Sequence, residues 1–269
     1  MLRVLACQIL IPQTRTAAER DTFRNALIQK LRTCLNENPH DLVVLPELST
    51  IEYSRESFNQ LNDLAETLDG NSIQTFSALA SEFACTIVFG MPRRNRDVFH
   101  ISQIVIGPHG ELIGHFDKLH MAQFGDSMEK EFFQRGDKLL TFDCAGFKVA
   151  PFICYDIRFP ELSRTLCVDH GVQLILHCGA YARDESFDTW HHFAVTRALE
   201  NQVYFLSLNR AGDHFGNSIF CSPWVDDDHP AELFAAHEED FRSLVVDAAH
   251  IESVRNKYTF LADRLSRYE

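Results

Sequence analysis

The run Phe147-Lys-Val-Ala-Pro-Phe-Ile-Cys154 constrains the chain most. It is apolar enough to be a strand buried on both faces, and it ends in a thiol followed by the polar turn Tyr155-Asp-Ile-Arg158. Pro160 then opens a helix, because proline pre-sets a helical φ and needs no backbone donor at the first position. Phe159, as the residue before a proline, is pushed toward an extended conformation, which keeps the turn sharp. A cysteine presented this way is placed as a nucleophile, although a cysteine at a strand end also fits plain packing.

Other short apolar runs repeat the theme. Leu2–Leu10, Asp41–Glu47, Cys85–Gly90, Val172–Cys178, Val203–Leu208, Ser218–Ser222 and Arg242–Val246 read as strands. Between them, Ala17 to about Leu35 has Phe23, Leu27, Leu31 and Leu35 at helical spacing. Leu61 to Phe83, Pro160 to His170 and Asp188 to Asn201 also read as helices. Ile101–Ile106 and Glu111–Phe116 flank Gly107-Pro-His-Gly110 as a β-hairpin, and Ser127–Phe133 forms a short amphipathic turn. Strands and helices alternate, with hairpins mixed in, so the expected class is a layered α/β fold. With 269 residues and no linker or repeat, a single domain spanning residues 1–269 is expected.

The net charge of −13 argues against a nucleic-acid or anionic-membrane partner. No apolar run approaches the length of a membrane span, and the N-terminus reads as a first strand, not a signal peptide. The eight cysteines include no Cys-x-x-Cys pair, so they are expected to be reduced, in a cytoplasmic protein.

Two more strand ends carry an ionisable group. Glu47 ends Leu45-Pro-Glu47, and Lys118 ends the outgoing hairpin strand. Either could be a surface charge. Together with Cys154 they supply a base, a cation and a thiol, the set that nucleophilic attack on an amide or nitrile carbon requires. His120, His170, His177, His191 and His192 have structural, packing or substrate-lining readings, and adjacent His191 and His192 cannot form an i, i+4 metal pair.

Leu45-Pro-Glu47, Asp117-Lys-Leu-His120 and Ile153-Cys-Tyr-Asp-Ile-Arg-Phe-Pro-Glu161 resemble the nitrilase superfamily of carbon–nitrogen hydrolases. Arg197-Ala-Leu-Glu-Asn201 and Gly216–Pro223 extend the resemblance over most of the chain. It implies a four-layer αββα sandwich and a homodimer or higher homo-oligomer. It implies Glu47 as general base, Lys118 as oxyanion-binding cation and Cys154 as nucleophile. Glu129, seven residues before Gly136, fits the family's second glutamate, with Glu131 the neighbouring alternative. The Tyr155 backbone N–H would complete the oxyanion site, and Arg158 and Tyr181 would face substrate. Neither metal nor organic cofactor is implied.

The implied substrate is a small ω-amide or N-carbamoyl compound, with a nitrile, or a non-catalytic binding role, as alternatives. A metal-dependent hydrolase built on the histidines is a further rival. Arg158 stands where ω-amidases and some carbamoyl-amino-acid hydrolases bind a carboxylate, but it could equally pair with Glu161 or Asp156. The acidic loop Ala182-Arg-Asp-Glu-Ser186 departs from the ω-amidase pattern and, with Asp188, would suit an amine.

Overall fold

The structure, a computed structural model, describes residues 1–265. The first half of the chain builds one sheet. Strand β1 (Leu2–Gln8) leads to helix α1 (Ala17–Glu37), which starts on a capping box between Thr16 and Glu19. There follow β2 (Leu42–Val44), the short helices α2 (Arg55–Phe58) and α3 (Leu61–Leu64), α4 (Asn71–Phe83), β3 (Thr86–Asn95), β4 (Val98–Ile106) and β5 (Leu112–Asp117).

The second half builds the other sheet. It contains β6 (Phe142–Cys144), β7 (Phe147–Ile153), α5 (Pro160–Arg164), β8 (Leu174–Cys178), α6 (Phe187–Asn201), β9 (Tyr204–Leu208), β10 (Ile219–Cys221) and β11 (Glu232–Leu233). Strand β12 (Asp240–Val246) returns to the first sheet, and α7 (Ala248–Lys257) and α8 (Phe260–Asp263) follow.

Each sheet has six strands, in the orders β12-β1-β2-β3-β4-β5 and β11-β10-β9-β8-β7-β6. The inner links β1–β2–β3 and β7–β8–β9 are parallel, and the outer ones are antiparallel. Alternation along the strands sorts the apolar residues into layers. Leu2, Val4, Ala6, Val44 and Val88 of the first sheet meet Val149, Leu174, Leu176, Leu206 and Phe220 of the second. Leu5, Cys7, Val43 and Phe89 face the other way, onto Leu27, Leu31, Phe76 and Leu79 of α1 and α4. Phe152, Ile175 and Phe205 cover Trp190, Ala194 and Ala198 of α6. The result is the expected αββα sandwich.

The structure departs from expectation in several places. The helix expected over 61–83 is broken between α3 and α4. There the backbone of Glu66 bonds to Pro92 O at 3.1 Å and to Arg94 N at 2.7 Å, drawing the segment against β3. The Glu66 carboxylate caps α4 by accepting from Ser72 N at 3.0 Å. The helix after Pro160 continues from α5 as a π-helical turn over Thr165–Asp169. Strands β3 and β4 form a hairpin of their own across Arg96-Asp97, where Arg96 takes a left-handed φ of +57°. Among the described residues, no helix is long and apolar enough to cross a membrane.

Candidate active site

Glu47, Lys118 and Cys154 each stand just past the end of a strand, whereas Glu129 opens a 3₁₀ turn, Glu129–Glu131. Glu47 follows β2, whose residues are all buried. Leu48 bends the chain with a φ of +47°, and β3 presses close behind it. A Cβ on Gly90 would stand 2.5 Å from both Leu48 N and Pro46 O, so only glycine fits there. Ser49 Oγ secures the contact through bonds of 3.0 Å to both Gly90 N and Gly90 O.

Lys118 follows β5, with its N–H on Ile101 O and its carbonyl accepting from Gly136 N, both at 2.8 Å. Its neighbour Asp117 is held by the Arg93 guanidinium through Nε at 3.0 Å and Nη2 at 2.5 Å. Lys118 Nζ lies 2.8 Å from Glu47 Oε1 and 2.6 Å from Glu129 Oε1. All three side chains are 0% exposed. Glu129 also accepts from Tyr53 OH and from Ala122 N, each at 2.9 Å. Glu131 lies outside this cluster, exposed and paired with Arg55 at 2.7 Å.

Cys154 sits at the start of a 3₁₀ turn, Cys154–Arg158, with a φ of +45°. That left-handed conformation costs a non-glycine residue about 1–2 kcal/mol. Two hydrogen bonds to the Cys154 carbonyl hold it there, from Tyr181 OH at 2.8 Å and from His177 Nε2 at 2.9 Å. The ring of His177 continues the chain: with Nε2 donating to a carbonyl, Nδ1 accepts from Ser207 Oγ at 2.6 Å. Ser207 Oγ in turn accepts from Trp190 Nε1 at 2.7 Å. Burial pushes the His177 pKa down to about 3, so the ring is neutral and its tautomer is fixed. Tyr155 N–H stands at the first turn of this short helix, where backbone donors lack intrahelical acceptors.

Two carboxylates and one ammonium share a dry site, leaving an excess negative charge if all ionise. Burial, opposed by Lys118 and reinforced by Glu129, raises the Glu47 pKa from 4.5 to about 7. Among the described residues, Glu47 Oε2 has no conventional hydrogen-bond partner, and the Cys154 thiol next to the carboxylate helps hold its charged form. Burial also pushes the Cys154 thiol well above its ordinary value, against the pull of Lys118. For Lys118, burial disfavours the charge, but Cys154, Glu129 and Glu47 outweigh it and the ammonium persists.

A narrow cavity opens onto Cys154, walled by Tyr53, Tyr155, Arg158 and Tyr181, with Asp126 and Asp184 also lining it. The Arg158 guanidinium lies between the rings of Phe124 and Phe193, at 5.6 and 5.0 Å from their centroids. Among the described residues it has no carboxylate partner: Asp156 is occupied by His120, and no contact with Glu161 forms. Asp184 lines the cavity, whereas Glu185 and Asp188 are exposed outside it.

Several residues here carry no mark in the sequence pattern. Tyr53 lay in an unremarkable loop, and its bond to Glu129 spans 76 positions. Arg197 donates from Nε to Ile157 O at 3.0 Å, tying α6 to the turn that begins at Cys154. Its place beside the Arg197–Asn201 resemblance was the available signal. Among the described residues, no group of three or more His, Cys, Asp or Glu side chains is arranged to hold a metal ion.

The family model for carbon–nitrogen hydrolases matches residues 6–227. The chain belongs to that family. This hydrolase is 31% identical over 223 residues to a nitrilase of Pyrococcus abyssi, covering 80% of this chain and 79% of the relative. It is 30% identical over 272 residues to the omega-amidase NIT2 of Bos taurus, covering 91% and 96%. Nit3 of Saccharomyces cerevisiae, a solved member of the nitrilase superfamily, superposes with a TM-score of 0.83. That match has 25% identity and covers 99% of the hydrolase and 97% of Nit3. The hydrolase is therefore an enzyme of the cysteine-dependent type, and the non-catalytic alternative falls away.

Proposed function

We propose that the protein hydrolyses a small amide through a thioester on Cys154, releasing ammonia. The observation that carries this reading is the buried Glu47–Lys118–Glu129 cluster beside the thiol. Because the thiol's pKa is raised, thiolate does not accumulate, so deprotonation accompanies attack. Glu47 takes the proton as sulfur bonds to the amide carbon and the carbonyl π pair moves to oxygen. Lys118 and the Tyr155 N–H hold that oxyanion. Glu47 then protonates the departing nitrogen, the C–N bond breaks and ammonia leaves. Water, deprotonated by Glu47, attacks the thioester, and the acid departs as the thiol is restored. Glu129 keeps the Lys118 ammonium fixed and charged throughout. General-base help is worth about 10²–10⁴ in rate, and one oxyanion donor about 10²–10³.

For the substrate's far end, we favour a carboxylate, as in an ω-amide or an N-carbamoyl amino acid. Arg158 supports this, as a cation in the cavity wall with no ion-pair partner among the described residues. Asp126 and Asp184 at the same cavity favour a second reading, an ammonium-ended amide or carbamoyl compound. Matched amides ending in carboxylate, methyl and ammonium, assayed by ammonia release on wild type and Arg158→Ala, separate the two. A carboxylate reader should lose ~10–150-fold in kcat/KM on the acidic substrate alone. An ammonium preference with equal losses on all three would overturn it. A nitrile of the same length tests the nitrilase alternative. We also take residues 1–269 to be one domain working as a cytoplasmic homodimer. Eight unpaired thiols support the reducing compartment, and light scattering on the purified protein tests the dimer.

A further inference from the structure

Lys118 and Cys154 arrive from different sheets, each one residue past the end of β5 or β7, so neither sheet sets the spacing between them. A single buried carboxylate crosses the gap. Asp156, two residues past Cys154 and 0% exposed, accepts from both the backbone N–H and the ring Nδ1 of His120, two residues past Lys118. The distances are 3.0 Å and 2.7 Å, both to Asp156 Oδ1. The other oxygen, Oδ2, accepts from Ile153 N at 3.1 Å, on the residue before the nucleophile. The carboxylate therefore binds the two sides of Cys154 to each other and both to the lysine loop. The His120 ring is braced by stacking on Phe159, with centroids 3.6 Å apart and planes 15° from parallel.

We propose that Asp156 and His120 form a clamp that sets the position of the Lys118 ammonium and the Tyr155 N–H relative to the Cys154 sulfur. Both are positioning residues: neither touches the reacting atoms, and Asp156 is fully enclosed by its donors and neighbours. The arrangement rests on the proposed roles of Cys154 and Lys118. Its physical basis is the steep dependence of catalysis on geometry. A displacement of about 1 Å at a reacting group costs ~10²-fold in rate, and the two oxyanion donors enter the site from opposite ends of this clamp. Substrate binding in the cavity uses other walls, so the clamp acts on turnover and not on affinity.

The test measures kcat and KM for Asp156→Asn, His120→Ala and His120→Asn on the best amide substrate. Rates are expressed per mole of folded protein, quantified from the native gel-filtration peak and the unfolding transition of each variant, so that unfolded protein is not counted. Asp156→Asn and His120→Ala should each lower kcat by ~10²-fold with KM within about threefold of wild type. His120→Asn, whose side-chain N–H can replace Nδ1–H, should recover at least about tenfold of the His120→Ala loss. Combining Asp156→Asn with His120→Ala should cost little more than either alone, since one contact is lost in both. Should Asp156→Asn fail to fold, the His120 pair still decides, because His120 borders an open cavity and its truncation spares the core. Unchanged kcat in His120→Ala, no recovery in His120→Asn, or losses that simply multiply would each overturn the clamp. A Cys154→Ala control separates the two ideas: if it turns over substrate, the nucleophile assignment has failed, whatever the clamp variants do.

Discussion

Tyr181 donates its hydroxyl to the carbonyl oxygen of Cys154 at 2.8 Å. A side chain expected to meet substrate thus offers the cavity its ring, while its polar end holds the backbone of the proposed nucleophile. Tyr181→Phe should therefore lower kcat several-fold and stability by about 1 kcal/mol, the worth of one hydrogen bond, with KM unchanged. A raised KM with unaltered kcat would instead make the hydroxyl a substrate contact.

Cys154→Ala should abolish ammonia release and leave the thermal midpoint close to that of wild type. Alanine at a φ of +45° is no more strained than cysteine, and the volume removed is small. None of the other seven cysteines lines the cavity that opens onto Cys154, so alanine at any of them should preserve turnover. Residual activity in Cys154→Ala above a trace would remove the nucleophile from this position.

As the proposed base, Glu47 must be ionised to accept a proton, so kcat/KM should fall as pH drops below about 7, not near the 4.5 of an ordinary glutamate. Stability moves the opposite way. With the folded-state pKa above the unfolded one, the native state binds the proton more tightly. The contribution of Glu47 is then intact below about 4.5 and is lost as pH rises through about 7. Glu47→Gln should be inactive yet gain thermal stability relative to wild type at pH 8, with the difference closing at pH 5. Equal midpoints at both values would show that burying this charge costs nothing.

Removing Lys118 strands two buried carboxylates. Lys118→Ala should lower kcat by at least ~10²-fold. It should also cost on the order of 3–5 kcal/mol of stability at neutral pH, so the substitution is not the benign one its position at a strand end suggests. Acid should relieve the penalty by protonating the carboxylates. Urea unfolding at pH 5 and pH 8 measures this, and a larger loss at pH 5 would contradict it.

What the sequence made legible follows from local rules. Strands and layers came from runs of apolar residues, and Glu47, Lys118 and Cys154 stood out because each ends such a run. An ionisable group at that boundary must be paired or used. Glu129 had no such mark, since its surroundings read as a surface turn, and only resemblance pointed to it. The break between α3 and α4 was hidden because Glu66 answers to Pro92 and Arg94, not to its neighbours in the helix pattern. The contacts of Tyr53, His177 and Asp156 were equally invisible. They join residues 76, 23 and 36 positions apart, and no periodicity encodes such a meeting.

Gly90 carries a consequence for reading variants of this enzyme. It lies inside β3, touches no reacting atom, and would pass in a sequence survey as an ordinary strand glycine. Yet a single added methyl would collide with the backbone on either side of Glu47. A Gly90→Ala variant would thus mimic loss of the proposed base, and a survey scoring only the proposed catalytic positions would file it as harmless.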